Sequence, residues 1–394
     1  MKLNINTASK ANLPTTSAQR NIGSYGDDTA GPTLLCICGI HGNEPSGLQA
    51  FHRVLATLKE EEHEVRGHLV GLAGNLKALK QKVRFIHEDL NRIWSVARIT
   101  RVLEDSVSGN FQNAEEEEQA EILHHLEEIF SQSKGPIYVM DLHTTSSVSQ
   151  PFVTINDTIR NREFAKNLPF LMVLGIEEFL DGTVLSYVNE LGHIAIGVES
   201  GQHQDPYSIV WHELAIWLAL AHSGCLQSEL PHHIKEKVQL LATTEKNVFE
   251  VRHRKELLKN EQFEMNPGYT NFDNVKKGQV IAKNVHGNIQ VPEDGQILMP
   301  LYQKLGEDGF FIVRQIKPLW LGISKWLRSK GVHRLLPYLP GIRKYQGQGH
   351  ELLVNTKIAK YYVIEFFHLL GFRKKTQMGR HILFSRRKYD FEAP

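Results

Sequence analysis

A histidine and a glutamate three positions apart, in the segment "LLCICGIHGNEPSG" (34–47), are the first residues whose types suggest chemistry. Both side chains bind metals, but the His-x-x-Glu pattern alone is weak evidence because this chain contains it five times. The other four copies begin at His124, His125, His233 and His253. Those copies lie in polar segments that we predict to be exposed helix faces. His41 and Glu44 differ because they follow an apolar run and enter a turn rich in Gly, Asn and Pro, so they are predicted to lie where a buried strand ends.

Two further apolar runs end in residues of the same kind. "IYVMDL" (137–142) is followed by His143, and "HIAIGVES" (193–200) carries Glu199 near its end. Ligands of open α/β sheets bind outside the carboxyl ends of the strands, so we expect these residues to meet the His-x-x-Glu pair at one sheet edge. Asp141 is two residues before His143 on the same strand face, where it would orient that histidine from behind.

Two histidines and one carboxylate are typical of a catalytic zinc site, in which water takes the fourth position. The residues therefore predict one Zn²⁺ per chain, bound by His41, Glu44 and His143. Zinc lowers the pKa of such a water to roughly 7 and polarises a carbonyl group, but a second group must move the proton. Glu199 is the candidate general base and acid, because burial and neighbouring charges tune the pKa of a carboxylate.

The segment "VRFIHEDLNR" (83–92) supplies two arginines and an asparagine. One interpretation is a solvated basic loop. A hydrolase of acylated amino acids, however, needs a cation near the developing oxyanion and a planar fork for a carboxylate. Arg84 would serve the first need, and Asn91 with Arg92 the second.

The elements that position these residues follow from the apolar pattern. Two more apolar runs, "TLLCICGI" (33–40) and "HLVGLAG" (68–74), precede the two quoted above. Between the runs lie helix-like patterns at 46–62, 114–130 and 208–222. This alternation predicts an α/β domain over 33–228, with a mixed or parallel sheet covered by helices.

Four other segments complete the predicted organisation. They are an N-terminal segment with edge strands (1–32), a helical connector (229–265), a small all-β barrel or sandwich (266–316) and a basic C-terminal extension (317–394). The third is predicted because Gly, Pro and Asp split its strand-like runs at close intervals.

Charge is divided unevenly along the chain. From Gln315 to Pro394 there are 16 Lys and Arg against 4 Asp and Glu, which leaves 29 bases and 40 acids for the rest. These opposite charges favour docking of the extension on its own chain, or on a second copy in a homo-oligomer. Binding to a membrane surface or to nucleic acid is the other interpretation of a basic segment.

The predicted cellular compartment is consistent with the predicted role of the cysteines. The first 25 residues contain no apolar run suited to a signal peptide, and no stretch reaches the length of a membrane span, so we predict a cytoplasmic protein. Cys36, Cys38 and Cys225 cannot form a disulfide framework and are predicted to be packing thiols.

Four motifs together carry a resemblance: "GIHGNEPSG", "VRFIHEDLNR", "MDLHTTSS" and "GVESGQ". In order and spacing they resemble the succinylglutamate desuccinylase/aspartoacylase family of zinc-carboxypeptidase-like hydrolases, over about residues 21–314. The resemblance implies a zinc-carboxypeptidase-like mixed sheet with flanking helices, followed by a small all-β domain. It also implies zinc ligation by His41, Glu44 and His143, acid and base catalysis by Glu199, carbonyl polarisation by Arg84, and substrate carboxylate binding by Asn91 and Arg92.

Two positions depart from the family pattern. The arginine that in aspartoacylase-like members precedes the catalytic glutamate by about ten residues is Asn189 here, with Leu185 and Tyr187 nearby. A substrate-binding tyrosine of the β domain falls at Phe310 or Phe311, which lack the hydroxyl. Both changes predict a substrate other than N-acetylaspartate or succinylglutamate.

The leading functional hypothesis is a zinc-dependent amidohydrolase, an N-acyl amino acid deacylase whose partner is a small N-acyl carboxylate. A metallocarboxypeptidase acting on peptides would use the same chemistry and would have an open cleft. A non-catalytic binding or scaffold protein would use the basic extension instead.

Overall fold

The computed structural model describes residues 19–241, 246–303, 305–346, 348–359 and 363–392. The first 18 residues of the predicted N-terminal segment therefore lie outside the described ranges. The strands up to residue 256 are β1 (Asn21–Tyr25), β2 (Thr33–Cys38), β3 (His68–Ala73), β4 (Ile137–Thr145), β5 (Phe152–Ile155), β6 (Leu171–Leu174), β7 (Ile194–Gln202) and β8 (Val248–Glu256). The helices of this region are α1 (Ser46–Glu60), α2 (Leu76–Gln81), α3 (Val96–Ser108), α4 (Ala114–Gln132), α5 (Ile159–Ala165), α6 (Val184–Glu190), α7 (Tyr207–Ser223) and α8 (His232–Leu241).

Six further strands follow, the first at the end of the predicted connector and the other five in the segment predicted to be all-β. They are β9 (Glu264–Met265), β10 (Asn274–Val275), β11 (Val280–Asn284), β12 (Gly287–Gln290), β13 (Gly295–Leu298) and β14 (Asp308–Ile316). Three of them form a small sheet in the order β12-β11-β9, and the other three extend the main sheet. Side chains from both sheets, including Met265, Ile281 and Ile312, share one apolar cluster.

The main sheet has eleven strands in the order β1-β3-β2-β4-β7-β5-β6-β8-β14-β13-β10. Strands β3, β2, β4 and β7 are parallel, whereas β1 pairs antiparallel with β3 and β5 antiparallel with β7. The fold is therefore the mixed α/β architecture that was predicted, with its four parallel strands at the four apolar runs.

Strand β2 is apolar throughout because helices cover both faces of the sheet. Leu34, Cys36 and Cys38 pack with α1 and α7 on one face, and Leu35 and Ile37 pack with α4 and α6 on the other. Cys36, Cys38 and Cys225 are buried and unpaired, as expected for packing thiols.

The predicted helical connector is wrong beyond residue 241. Residues 248–256 form β8, which pairs parallel with β6 and antiparallel with β14. Phe249 and Val251 alternate toward the apolar core in the manner of a strand. The charged residues between and after them suggested a helix, but here their partners are distant in sequence, such as Asp308 for Arg254. The His-x-x-Glu copy at His253 therefore lies on a strand.

The basic extension forms its own small α+β unit. It contains α9 (Pro318–Ser329), β15 (Ile342–Tyr345), β16 (Gln348–Asn355), α10 (Val363–Leu369), β17 (Phe372–Met378) and β18 (His381–Arg386). The strands make an antiparallel sheet in the order β15-β16-β18-β17. The expected helix-like pattern holds for α9, for α10 and for a 3-10 helix at Val332–Tyr338. The basic segment near the C-terminus is a hairpin because Ile382 and Phe384 of β18 pack with Phe367 of α10.

The extension docks on its own chain through buried ion pairs, as the opposite charges predicted. Nη2 of Arg328, whose side chain is fully buried, lies 2.8 Å from Oδ2 of Asp157. Nη2 of Arg387 lies 2.8 Å from Glu177 and 3.1 Å from Glu178. Contact with a second copy stays a prediction. Within the described parts of the chain, no helix is long and apolar enough to cross a membrane.

Candidate active site and metal centre

Three adjacent parallel strands bring the predicted residues together. The chain leaves β2 at Cys38 and places His41 and Glu44 in the turn before α1. His143 in β4 is in register with Glu199 in β7. Because β2, β4 and β7 are neighbours and run the same way, their carboxyl ends meet at one edge of the sheet.

His41, Glu44 and His143 form a buried cluster. One potential ligand atom from each lies within 4.8 Å of the other two. Glu44 is central: its Oε1 is 2.9 Å from Nδ1 of His41, and its Oε2 is 3.1 Å from Nδ1 of His143. The backbone N–H of Thr144 donates to Oε2 of Glu44 at 2.8 Å and so orients the carboxylate. Two imidazole nitrogens and a carboxylate oxygen thus face a common point.

The outward nitrogen of each histidine is held by an aspartate. Oδ2 of Asp141 lies 2.7 Å from Nε2 of His143, as the sequence predicted. Oδ1 of Asp89 lies 3.0 Å from Nε2 of His41, a partner that the sequence interpretation missed. Such a contact fixes the ring orientation and the tautomer of a histidine, and here it leaves Nδ1 of both rings facing Glu44.

Asp89 lies in the "HEDLNR" motif but outside any predicted strand, so the strand-end argument could not find it. Its side chain also accepts from the backbone N–H of Asn91 at 2.9 Å and begins a short 3-10 turn. Burial alone would raise the pKa of Asp89, but the charges of Arg84 and His41 hold it well below its usual range. An ionised aspartate is the form that accepts from an imidazole N–H.

Glu199 is buried beside this cluster. Its Oε2 has no hydrogen-bond partner in the part of the chain that the structure describes. Burial, opposed by His143 and reinforced by Glu44, raises the pKa of Glu199 to about 8. A cation bound by the cluster would favour the ionised form, so this carboxyl group is placed to exchange a proton near neutral pH.

Arg84, Asn91 and Arg92 surround the same space. Arg84 donates from Nε at 3.2 Å and from Nη2 at 2.8 Å to Oδ2 of Asp89, while its Nη1 lies 3.6 Å from Oε1 of Glu44. Arg92 donates from Nη2 to Oδ2 of Asp308 at 2.7 Å, and its buried Nε makes no hydrogen bond within the described ranges, although it lies 3.8 Å from Oε2 of Glu307. The side-chain oxygen of Asn91 accepts from the backbone N–H of Val184 at 3.0 Å. Arg84 and Arg92 thus each retain a donor.

All eight residues singled out from the sequence line one cavity of about 130 Å³. The all-β segment closes part of it with Met299, Gln303, Asp308 and Phe311. The amide of Asn43 donates to the side-chain oxygen of Gln303 at 3.0 Å, which ties the two walls together. The cavity is thus narrow and built from both parts of the chain.

The residues at the two positions that depart from the family pattern differ in whether they line the cavity. Asn189 does not line the cavity; it lies in α6, where its amide donates to the carbonyl of Leu185 at 2.8 Å. Leu185 lines the cavity in its place. Phe311 lines the cavity, whereas Phe310 packs in the apolar cluster of the all-β segment.

Two further cavity residues were not predicted. His203 follows the "GVESGQ" motif directly, and its Nδ1 lies 2.8 Å from the hydroxyl of Thr144. Burial lowers the pKa of His203 and favours its neutral form. Glu177 is held by Arg387 of the extension through Nε at 2.9 Å. Only the proximity of His203 to a recognised motif could have indicated it; nothing local indicated Glu177.

Comparisons with known proteins agree with this geometry. The sequence profile of the succinylglutamate desuccinylase/aspartoacylase catalytic domain matches residues 30–209. Succinylglutamate desuccinylase of Shewanella woodyi is 24% identical over 286 residues, which cover 68% of this chain and 77% of that protein. The corresponding enzyme of Pseudoalteromonas atlantica is 28% identical over 176 residues, or 42% of this chain and 49% of its own.

Solved structures share the fold at low sequence identity. A succinylglutamate desuccinylase of Vibrio parahaemolyticus has a TM-score of 0.55 at 15% identity, covering 74% of this chain and 84% of its own. A succinylglutamate desuccinylase/aspartoacylase of Rhodobacter sphaeroides has a TM-score of 0.54 at 18% identity, covering 74% and 87%. Residues 30–209 therefore match the catalytic domain of the succinylglutamate desuccinylase/aspartoacylase family.

Proposed function

We propose that this protein is a zinc-dependent amidohydrolase that removes the acyl group from the nitrogen of an amino acid or a similar small carboxylate. The observation that carries the proposal is the convergence of His41, Glu44 and His143 on one point beside the buried Glu199. The match of residues 30–209 to the family's catalytic domain supports the same class of reaction, since the similar proteins are named for removing a succinyl group from an amino acid.

The donor set fits zinc. Two imidazole nitrogens and one carboxylate are its usual ligands in hydrolases, and the aspartates behind both histidines complete the pattern. His41, Glu44 and His143 would hold one Zn²⁺ per chain. When bound, the ion would acidify a water molecule and polarise the scissile carbonyl group.

The chain's own residues would move the proton and stabilise the charge. A carboxylate oxygen of Glu199 would take the proton from the attacking water and then deliver it to the leaving nitrogen. Oε2 of Glu199 is available because it has no partner among the described residues. Nη1 of Arg84 is not engaged by Asp89 and would donate to the carbonyl oxygen as negative charge develops there.

The opposite side of the cavity would hold the substrate. Nε of Arg92, which makes no hydrogen bond among the described residues, and the amide nitrogen of Asn91, whose contacts to Asp141 and His143 are both 3.4 Å long, are the donors proposed for its carboxylate. The remaining wall is largely apolar and includes Ile176, Leu180, Leu185, Met299 and Phe311. Because Asn189 points away and supplies no charge, we propose an apolar acyl or side-chain group there rather than a second carboxylate.

The narrow cavity favours a small substrate over a peptide. A carboxypeptidase needs an open cleft for a chain, whereas Gln303 and Asp308 of the all-β segment reach across to Asn43 and Arg92. A purely scaffolding role is disfavoured because ligands and base line the same cavity. Release of C-terminal residues from peptides, without hydrolysis of any N-acyl amino acid, would reverse this preference.

Metal content tests the proposal separately from activity. We expect about one zinc per purified wild-type chain and loss of that zinc in His41→Ala, because one of three protein ligands is gone. His124→Ala is the matched control, since His124 belongs to another His-x-x-Glu pair and is exposed on α4. Equal zinc content in both variants would contradict the assignment of the ligands.

Activity on a panel of N-acyl amino acids tests the proposed role of Glu199 as the general base. In Glu199→Gln we expect kcat to fall by roughly 10²- to 10⁴-fold with zinc content unchanged, because the amide cannot accept the proton. Glu236→Gln, on the exposed surface of α8, should leave kcat unchanged. Full hydrolytic activity in the Glu199 variant would rule out the proposed mechanism.

A further inference from the structure

A second cavity lies between the core and the basic extension, and we call it the interdomain cavity. Its volume is about 700 Å³, against about 130 Å³ for the active-site cavity, and the two share no described lining residue. Its walls come from β6, β8 and β14 on the core side and from α9, α10 and Arg387 on the extension side. Sites for small molecules occur preferentially at such junctions.

Part of the wall is apolar. It is formed by Leu174, Ile316, Trp320, Leu321, Phe366 and Leu369. Trp320 and Phe366 are 48% and 42% exposed, although large aromatic side chains in a junction are usually covered. Removing their surface from water would favour an occupant that has an apolar chain or ring.

The acidic side chains of the interdomain cavity already have cationic partners. Asp157 lies 2.8 Å from Arg328, Glu250 lies 2.6 Å from His368, and Glu365 lies 3.2 Å from Arg252. Since each of these carboxylates already has a cationic partner in the protein, none of them needs a bound cation.

Three cationic side chains of the same cavity keep free donors. Arg162 uses Nε and Nη2 on Asp157, and its buried Nη1 has no partner in the described ranges. Arg314 has only ion pairs of 3.5 and 3.8 Å, with two glutamates that are engaged elsewhere. Lys317 lines the cavity at an exposed position, and none of the side-chain hydrogen bonds or ion pairs between described residues involves it. The unused hydrogen-bonding capacity of this cavity is therefore cationic, and a carboxylate is its natural complement.

We propose that the interdomain cavity binds a small amphipathic anion, a single carboxylate attached to an aliphatic chain or an aromatic ring. Arg162, Arg314 and Lys317 donate to the carboxylate, and the apolar part lies against Trp320 and Phe366. The proposal does not depend on the hydrolytic activity, because the active-site cavity is separate.

Calorimetric titration of the full-length protein with octanoate tests this site, with octanamide as the neutral counterpart of similar shape. We expect one octanoate per chain and affinity for octanamide at least about tenfold weaker, as loss of a charged hydrogen bond implies. Trp320→Ala and Arg314→Gln should each weaken octanoate binding by about fivefold or more. Trp326→Ala, on the same helix, and Lys330→Gln, at the residue that follows it, lie outside the cavity and should bind as the wild type does.

The His41→Ala variant separates this site from the active site. Octanoate binding that persists in His41→Ala and weakens in Trp320→Ala supports the interdomain cavity. Binding lost in His41→Ala and unchanged in Trp320→Ala would assign the ligand to the active site and overturn the proposal. Absence of binding, or equal affinity for octanamide, would also overturn it. Unchanged melting temperatures in the variants would show that the losses are not due to unfolding.

Discussion

His368, at the junction of the extension and the core, should make the stability of the protein depend on pH. Its Nδ1 lies 2.6 Å from Oε1 of Glu250, and its Nε2 lies 2.9 Å from Oε1 of Glu178. Burial alone would lower its pKa, but the hydrogen bonds to Glu178 and Glu250 outweigh burial and raise the pKa of His368 to about 9. The imidazolium is therefore the form that joins the extension to β8 and to the loop before α6.

The size of the effect follows from the two pKa values. One pKa unit is worth about 1.4 kcal/mol, so the difference between about 9 and the ordinary 6.5 corresponds to roughly 3 kcal/mol. Because the folded-state pKa is the higher one, this stabilisation is fully present below pH 6.5. It is lost as the pH rises through about 9, where the folded protein also releases the proton.

Urea unfolding at pH 6 and pH 9.5, followed by the fluorescence of the five tryptophans, measures this difference. Glu199 titrates in the same range, so the difference between wild type and His368→Gln isolates the histidine. We expect the wild type to lose roughly 3 kcal/mol more than His368→Gln over this interval. His286→Gln, at an exposed position, should follow the wild type. An equal pH dependence in wild type and His368→Gln would refute the reasoning.

Three more outcomes follow from the same contacts. Arg328→Met should lower the free energy of unfolding by about 3–5 kcal/mol, because Asp157 and Asp390 stay buried without it. Lys330→Met, at the exposed residue that follows α9, should change it by less than about 0.5 kcal/mol. Asp89→Asn should weaken zinc binding by about 10- to 100-fold in chelator competition, because it alters the contact to His41. The control variant Asp105→Asn should bind zinc as tightly as the wild type. Equal zinc affinity of Asp89→Asn and the wild type would show that the contact to His41 is not needed. Truncation after Lys317 should lower the melting temperature and the activity together, since it removes the partners of Asp157 and Glu177, and a truncated chain as stable as the full one would contradict this.

Local sequence was sufficient for the catalytic edge of the sheet. The apolar runs located β2, β4 and β7 because strands covered on both faces are largely apolar. Once those strands are parallel neighbours, their last residues have to meet, so His41, His143 and Glu199 could be grouped without coordinates. The helices α1, α4 and α7 were also foreseen, since their apolar residues recur at helical spacing.

Local sequence was insufficient where charged residues find distant partners. The segment 248–256 resembled a helix because it is rich in charge, but β8 is stabilised by neighbours such as β14 that lie about 60 residues further along. The hairpin of β17 and β18 was missed for the same reason. In both cases strand pairing depends on contacts that no local pattern records.

By itself, the sequence determined the family motifs, the parallel strands and the three residues proposed to bind zinc, because these depend on patterns within single segments. Only the tertiary structure decided that Asp89 contacts His41 and that Leu185, not Asn189, lines the cavity. It also decided that Arg387 of the extension contacts Glu177 on the cavity wall. Those contacts join side chains far apart along the chain. A buried charge is stable only where a partner of opposite charge is brought to it, and folding alone determines which partner that is.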